Sequence, residues 1–299
     1  MIKFVEDFND YEVLDSGDGE KIERFGEYIL RRPDPQAIWH KNNFDKYKVN
    51  AIYHRSKTGG GSWEFINLPK KWDIEYSLDE KDKIIFNLKP FTFKHTGVFP
   101  EQATNWKFIY NFCKKNIEKN IKVLNLFAYT GGATISAALG NAKVVHVDAA
   151  KGILTWAKEN AVSSKIKNDS IRWIVDDCYK FVEREIRRNN VYNGIIMDPP
   201  SYGRGPGGEI WKLEDKIYDL VNNCFKILDK NNSFLILNSY TTGLQAGVMN
   251  YIVSDVANKM GFKGNAISYE IGVKCSSTNL ILPEGNTTIY MVGYSKCLI

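Results

Sequence analysis

The run Met197-Asp198-Pro199-Pro200-Ser201-Tyr202-Gly203 is the part of this chain whose residue types are most specific for chemistry. Consecutive prolines fix the backbone and remove two amide donors, so the loop is rigid and presents bare carbonyl groups. An acidic side chain, a projecting carbonyl and a nearby aromatic ring make a site for a planar group bearing N–H donors. The carboxylate and carbonyl accept those hydrogens while the ring stacks. A second signal is Phe127-Ala128-Tyr129-Thr130-Gly131-Gly132, where an apolar run opens directly into an Ala-rich helix. Glycines at such a turn let a ligand approach the backbone closely. A third is Asp148, sixteen residues beyond Gly132 at the end of the next apolar run. A carboxylate there is placed to accept both hydroxyls of a ribose. Glycine turns and strand-end carboxylates are each common structural features, but the two in succession indicate a nucleoside-containing cofactor.

A nicotinamide enzyme would need GxGxxG to seat a pyrophosphate on the helix N-terminus. Phe127 and Tyr129 stand where its first two glycines would fall. A cofactor without phosphates has no such requirement, and the cationic sulfonium of S-adenosylmethionine suits aromatic and carbonyl groups. The five cysteines (113, 178, 224, 275, 297) and four histidines (40, 54, 95, 146) are scattered, with no CxxC, so neither a disulfide framework nor a metal site is expected.

Something must hold these residues together, and the composition says what kind of chain does so. At 299 residues, 43% hydrophobic and 25% charged, it matches ordinary globular proteins and excludes disordered, collagenous and disulfide-scaffold classes. No window reaches ~18 uninterrupted apolar residues, so no membrane span is expected. The acidic start MIKFVEDFNDYE does not resemble a secretory leader, and free thiols fit a reducing cytoplasm. Residues 1–100 hold 16 Lys and Arg against 17 Asp and Glu, so the net charge of +5 arises wholly after residue 100. That mildly basic portion suits an anionic partner such as RNA, although solvated helix faces would give the same count.

The first ninety residues read as short strands with glycine turns: a tip at DSGDGEK, an extended GEYILRR ended by prolines, a turn at TGGGSWEF and a strand at KIIFNLKPF. From about residue 104 apolar strands and helices alternate, including a long helix whose stripe is Leu213, Ile217, Leu220, Val221, Cys224 and Leu228. Alternation predicts a doubly wound, mostly parallel α/β sheet covered on both faces, preceded by a small β-rich domain. The expected division is 1–95 for a substrate-docking domain and 96–299 for the cofactor domain.

The stretch 121–240 resembles the class I S-adenosylmethionine-dependent methyltransferases, in VLNLFAYTGG, VHVDAA, VDDCYKF and MDPPSYG. FKHTGVFPEQATNW, with LNLFAYTGG and DPPSYGRG, narrows the resemblance to a bacterial subgroup related to 23S ribosomal RNA methyltransferases. The resemblance implies a seven-stranded Rossmann-like sheet and a set of roles. Tyr129, Thr130, Gly131 and Gly132, with Phe127 and Ala128, would line the methionine portion of the cofactor. Asp148 with Ala149 would hold the ribose, and Asp177 with Cys178 the adenine. Phe99 and Gln102 would close the pocket. Asp198, Pro199 and Tyr202 would hold the acceptor, with Asp198 also facing the cofactor, and Ser201, Arg204 and Lys212 would meet the substrate. Asn125 departs from the subgroup, where many members carry an acid. Methylation at a pyrimidine carbon needs a cysteine nucleophile, and neither DPPSYG nor LNSYTTG supplies one.

The expected function is therefore methyl transfer to a base nitrogen in ribosomal RNA. The alternatives are a protein amide or small-molecule acceptor, cytosine carbon-5 methylation, a nicotinamide oxidoreductase and a non-catalytic RNA-binding module. Oligomeric state is not legible in the sequence.

Overall fold

Seven of the apolar runs that alternate with helices close into one twisted sheet, in a computed structural model that describes residues 1–56, 60–91 and 94–293. Before them come β1 (Ile2–Lys3), β2 (Tyr11–Gly17), β3 (Glu20–Phe25), β4 (Tyr28–Pro33), β5 (Ala51–Arg55), β6 (Gly61–Phe65), β7 (Trp72–Ser77) and β8 (Lys83–Leu88). The second part runs α1 (Ala103–Lys115), β9 (Lys122–Leu126), α2 (Gly132–Leu139), β10 (Lys143–Asp148), α3 (Lys151–Ser163), β11 (Ile171–Val175), α4 (Cys178–Arg187) and β12 (Gly194–Met197). It continues through the hairpin β13 (Tyr202–Arg204) and β14 (Ile210–Lys212), then α5 (Leu213–Lys226), β15 (Ser233–Ser239), α6 (Ala246–Lys259), β16 (Gly264–Lys274) and β17 (Ile281–Val292).

The large sheet has the order β1-β16-β17-β15-β12-β9-β10-β11. Strand β17 runs antiparallel to both neighbours and every other pairing is parallel. Seven strands were expected; the eighth is the two-residue β1, which the N-terminus adds to the outer edge of β16. Central strands are apolar on both faces because helices cover both: Val123, Leu124 and Leu126 of β9 are fully buried. The chain leaves β9 toward β10 and β11, then returns to β12 on the other side. That reversal opens a crevice above the carboxyl ends of β9 and β12, where ligands bind in such sheets.

Strands β2 to β6 form a second sheet and β7–β8 a hairpin, as the turn signals imply. These N-terminal elements share a core with the large sheet. Trp106 of α1 packs between Phe8, Tyr76 and Phe86, with ring centroids 6.4, 5.8 and 5.0 Å away. The backbone of β8 is tied to α3 by Ile85 N–H donating to Ser164 Oγ at 2.8 Å and Asn87 N–H to Asn160 Oδ1 at 2.9 Å. Part of the expected turn at Thr58-Gly59, Cys297 and the end of the last expected strand lie outside the described residues. No helix among the described residues is long and apolar enough to cross a membrane.

Candidate active site

A cavity of about 610 Å³ fills the crevice and reaches from the ends of β9, β10 and β12 to the inner face of the β2–β6 sheet. Its floor is the turn after β9. Phe127 and Tyr129 hold left-handed backbone conformations there (φ 54° and 48°), which cost roughly 1–2 kcal/mol each for residues with a Cβ. Neighbouring groups hold that turn in place. Phe127 N–H donates to Cys178 Sγ at 3.2 Å, Tyr129 N–H to Asp148 Oδ2 at 2.9 Å, and Thr130 Oγ1 to the Gly97 carbonyl at 2.6 Å. Gly132 begins α2 so close to Trp106 that a Cβ would lie 2.8 Å from its ring, which is why glycine stands there. Ala128, Thr130, Gly131 and Gly132 thus shape the turn, whereas Phe127 and Tyr129 line the cavity.

Asp148 also accepts from Ala150 N–H at 2.9 Å, so each carboxylate oxygen has one backbone donor and a lone pair to spare. Burial raises its pKa, partly offset by those two donors. Asp177 caps α4 by accepting from Lys180 N–H at 2.8 Å, and lines the cavity with Ala149 and Cys178. The Cys178 thiol is fully enclosed, and burial pushes its pKa well above the usual thiol range. Asn125 does not line the cavity; its Nδ2 donates to Thr134 Oγ1 at 2.9 Å in a buried chain that continues to His146 Nδ1.

Asp198 follows β12, half-buried at the cavity wall with Pro199, Pro200 and Ser201. Burial alone pushes its carboxyl up to about 7. The hairpin beyond it differs from expectation. Tyr202 is 53% exposed and absent from the cavity wall, and so is Lys212, with which it pairs across β13 and β14. Side chains alternate along a strand, so turning Tyr202 and Lys212 outward turns the next pair, Gly203 and Trp211, inward. Trp211 is the aromatic ring inside: 4% exposed, its Nε1 donating to the Pro200 carbonyl at 2.6 Å and its ring 5.0 Å from Phe127. Arg204 does line the cavity. Gln102 does not; it is buried behind the wall, donating to Tyr240 Oη at 2.8 Å and accepting from Asn105 and Asn238. Phe99 lines the cavity between Tyr129 and Tyr240, with centroids 5.2 and 5.7 Å away.

The sequence reading missed a second wall. Lys21, Glu23, Arg32 and Asp34 project from the β2–β6 sheet into the same cavity, with Glu101, Tyr240 and Glu284 beside them. Arg32 holds Glu23 through two hydrogen bonds of 2.6 and 2.7 Å, and Tyr11 Oη donates to Glu23 at 2.7 Å. Lys21 Nζ bonds Glu284 at 2.7 Å and lies 3.6 Å from Glu23. Alternation along β3 and β4 would have shown which residues share a face, but not what that face meets.

Residues 70–212 match the model of the S-adenosylmethionine-dependent methyltransferases. Along nearly the whole chain, the structure is similar to that of an S-adenosylmethionine-dependent methyltransferase from Agrobacterium tumefaciens. The two are 32% identical with a TM-score of 0.90, over 97% of this chain and 93% of that one. The chain belongs to the S-adenosylmethionine-dependent methyltransferase family. A curated relative of the methyltransferase, ribosomal RNA large subunit methyltransferase K/L of Pseudoalteromonas atlantica, is 32% identical over 156 residues, 52% of this chain and 21% of that one. The chain spans about a fifth of the length of that relative. A Streptococcus mutans structure aligns at TM-score 0.73 and 17% identity, over 96% of this chain and 76% of that one, which speaks to the fold alone.

The methyltransferase uses S-adenosylmethionine, and its cavity fits that molecule. Asp148 and Asp198 are carboxyls without a cation partner among the described residues, suited to hydroxyls and to a positively charged ligand. The Tyr129 hydroxyl is buried in the wall with no partner among the described residues. Aromatic rings (Phe99, Phe127, Tyr129, Trp211) face the same space.

Proposed function

We propose that this methyltransferase modifies a nitrogen atom of a base in RNA, ribosomal RNA being the substrate class, in the cytoplasm. The observation that carries this reading is the end of β12, where the Asp198 carboxyl and the rigid Pro199–Pro200 backbone sit at the wall of a deep cavity beside the Trp211 ring. That is a pocket for a flat group with N–H donors, and a base would reach it flipped out of its strand. Support for ribosomal RNA comes from the name of the curated relatives. Carbon-5 chemistry would need a reactive thiolate. Cys178 and Cys224 are enclosed with their thiols pushed upward, and Cys275 is buried against Ser16 and Ser277.

In this reading Asp148 holds the ribose hydroxyls and Asp177 the adenine amino group. Phe99, Phe127 and Tyr129 enclose the rest of the cofactor, which supplies an electrophilic methyl group. Asp198 and the Pro199 carbonyl orient the acceptor nitrogen, so that catalysis is mostly alignment. Tyr202, at the rim, stacks on a base that flanks the target, and Ser201, Arg204 and Lys212 meet the adjoining backbone. The β-rich N-terminal part docks the substrate.

The test is transfer of a labelled methyl group onto total RNA and total protein from cells lacking this gene, with Asp198→Ala alongside and the RNA digested to nucleosides. Label in one ribosomal nucleoside that depends on Asp198 is expected; label in protein would overturn the RNA reading. The double variant Arg204→Gln, Lys212→Gln is expected to lower the salt slope of RNA binding by about two.

A further inference from the structure

The cavity also holds a buried acid that forms no ion pair among the described residues. Glu101 lies in the short turn before α1, 5% exposed, and lines the cavity. No Lys, Arg or His among the described residues lies within ion-pair distance of it. Its carboxyl lies against the Tyr240 hydroxyl, which Gln102 holds from behind at 2.8 Å. A buried carboxyl without a cation is a stability liability, and such groups persist where a ligand uses them.

Its position in the fold says which ligand. The cofactor half of the crevice is built on β9, β10 and β11, which deliver Phe127, Tyr129, Asp148 and Asp177. Glu101 stands on the other half, beside Tyr240 at the end of β15 and near Glu284 of β17, whose carboxylate is held by Lys21. Asp198 follows β12, between the two halves.

We propose that Glu101 is a second carboxyl of the acceptor subsite, which holds an N–H of the acceptor and takes the proton that methyl transfer releases. This deepens the reading given under Proposed function, since it requires a nitrogen acceptor. The acceptor nitrogen's lone pair forms the new bond to carbon while the carbon–sulfur bond breaks and its electron pair stays on sulfur. The nitrogen is left with one proton too many, which the Glu101 carboxylate accepts. Burial and the Glu284 carboxylate raise the Glu101 carboxyl to about 7, against the opposing pull of Lys21, so it ionises in the range where a base is useful. The other ionisable groups lining this side of the cavity are Tyr240 and Asp198, the Arg32–Glu23 pair with Tyr11, and Asp34, Lys94 and His95.

The test pairs Glu101→Gln with Glu101→Asp. S-adenosylhomocysteine binding, by calorimetry, is expected to stay within about threefold of wild type, while kcat for methyl transfer to large-subunit RNA from cells lacking the gene falls at least about a hundredfold in Glu101→Gln. Glu101→Asp, which keeps the carboxyl, is expected to recover part of kcat. An acceptor-free arm uses sinefungin, which carries an amine where the methyl group sits. Its preference over S-adenosylhomocysteine at pH 8 is expected to shrink about fivefold or more in Glu101→Gln. Loss of S-adenosylhomocysteine binding, equal loss of activity in both variants, or an unchanged kcat and sinefungin preference would each overturn the proposal. If wild type labels protein instead of RNA, the RNA reading falls, and the same two variants measured on that label still decide the role of Glu101.

Discussion

Replacing Asp198 with Asn should remove activity and make the protein more stable, by an amount that depends on pH. The carboxyl of Asp198 stands at about 7 in the fold against an ordinary 3.8, through burial alone. Below about pH 4 the group is protonated in both folded and unfolded chains, and it contributes nothing to the pH dependence. Between about 4 and 7 the unfolded chain releases its proton while the folded chain keeps it, so wild-type stability falls as pH rises. Above about 7 both states are ionised and the penalty is constant. The displacement corresponds to a ceiling of roughly 4 kcal/mol. Access of water to a half-buried group, and the cost of enclosing the Asn amide, reduce the expected gain at pH 8 to ~1–2 kcal/mol. For a chain of this length that is about 2–3 °C in Tm. The assay is thermal unfolding of wild type and Asp198→Asn without ligand from pH 5 to pH 8.5, with methyl transfer measured in parallel. The variant's advantage should grow with pH and level off above about 7. An advantage independent of pH, or a variant less stable throughout, would refute the reasoning that the fold holds this carboxyl against ionisation.

Two other substitutions probe the rest of the site. Asp148→Ala strands the Tyr129 and Ala150 amides as well as the ribose hydroxyls, and should weaken S-adenosylhomocysteine binding by ~1–3 kcal/mol in calorimetry. Arg32→Met leaves Glu23 buried with Lys21 3.6 Å away as its remaining cation, and should destabilise the fold by ~3 kcal/mol or more in chemical denaturation.

The placement of Phe127, Tyr129, Asp148 and Asp177 around one cavity was legible because the signals are local. A parallel strand buried on both faces must be apolar throughout, so β9, β10 and β12 appear as runs whose carboxyl ends can be read in order. The turn after β9, Asp148 at the end of β10 and Asp177 before α4 each follow from position along the chain, and the doubly wound alternation dictates that those ends converge. Asp198 was legible for the same reason.

What the tertiary structure decided is the facing of side chains across long separations. Tyr202 and Trp211 are nine residues apart, and only the register of β13 against β14 turns Trp211 inward and leaves Tyr202 at the rim. Gln102 stands behind the cavity wall, bonded to Tyr240, which follows a strand more than a hundred residues later. The charged wall of Lys21, Arg32 and Glu284 gathers residues from β3, β4 and β17, more than 250 positions apart. Period-two alternation assigns such residues to one face of a strand and says nothing about what the face meets. Packing of the β2–β6 sheet over the crevice, through the core around Trp106, turned a strand face with no evident task into one side of the cavity.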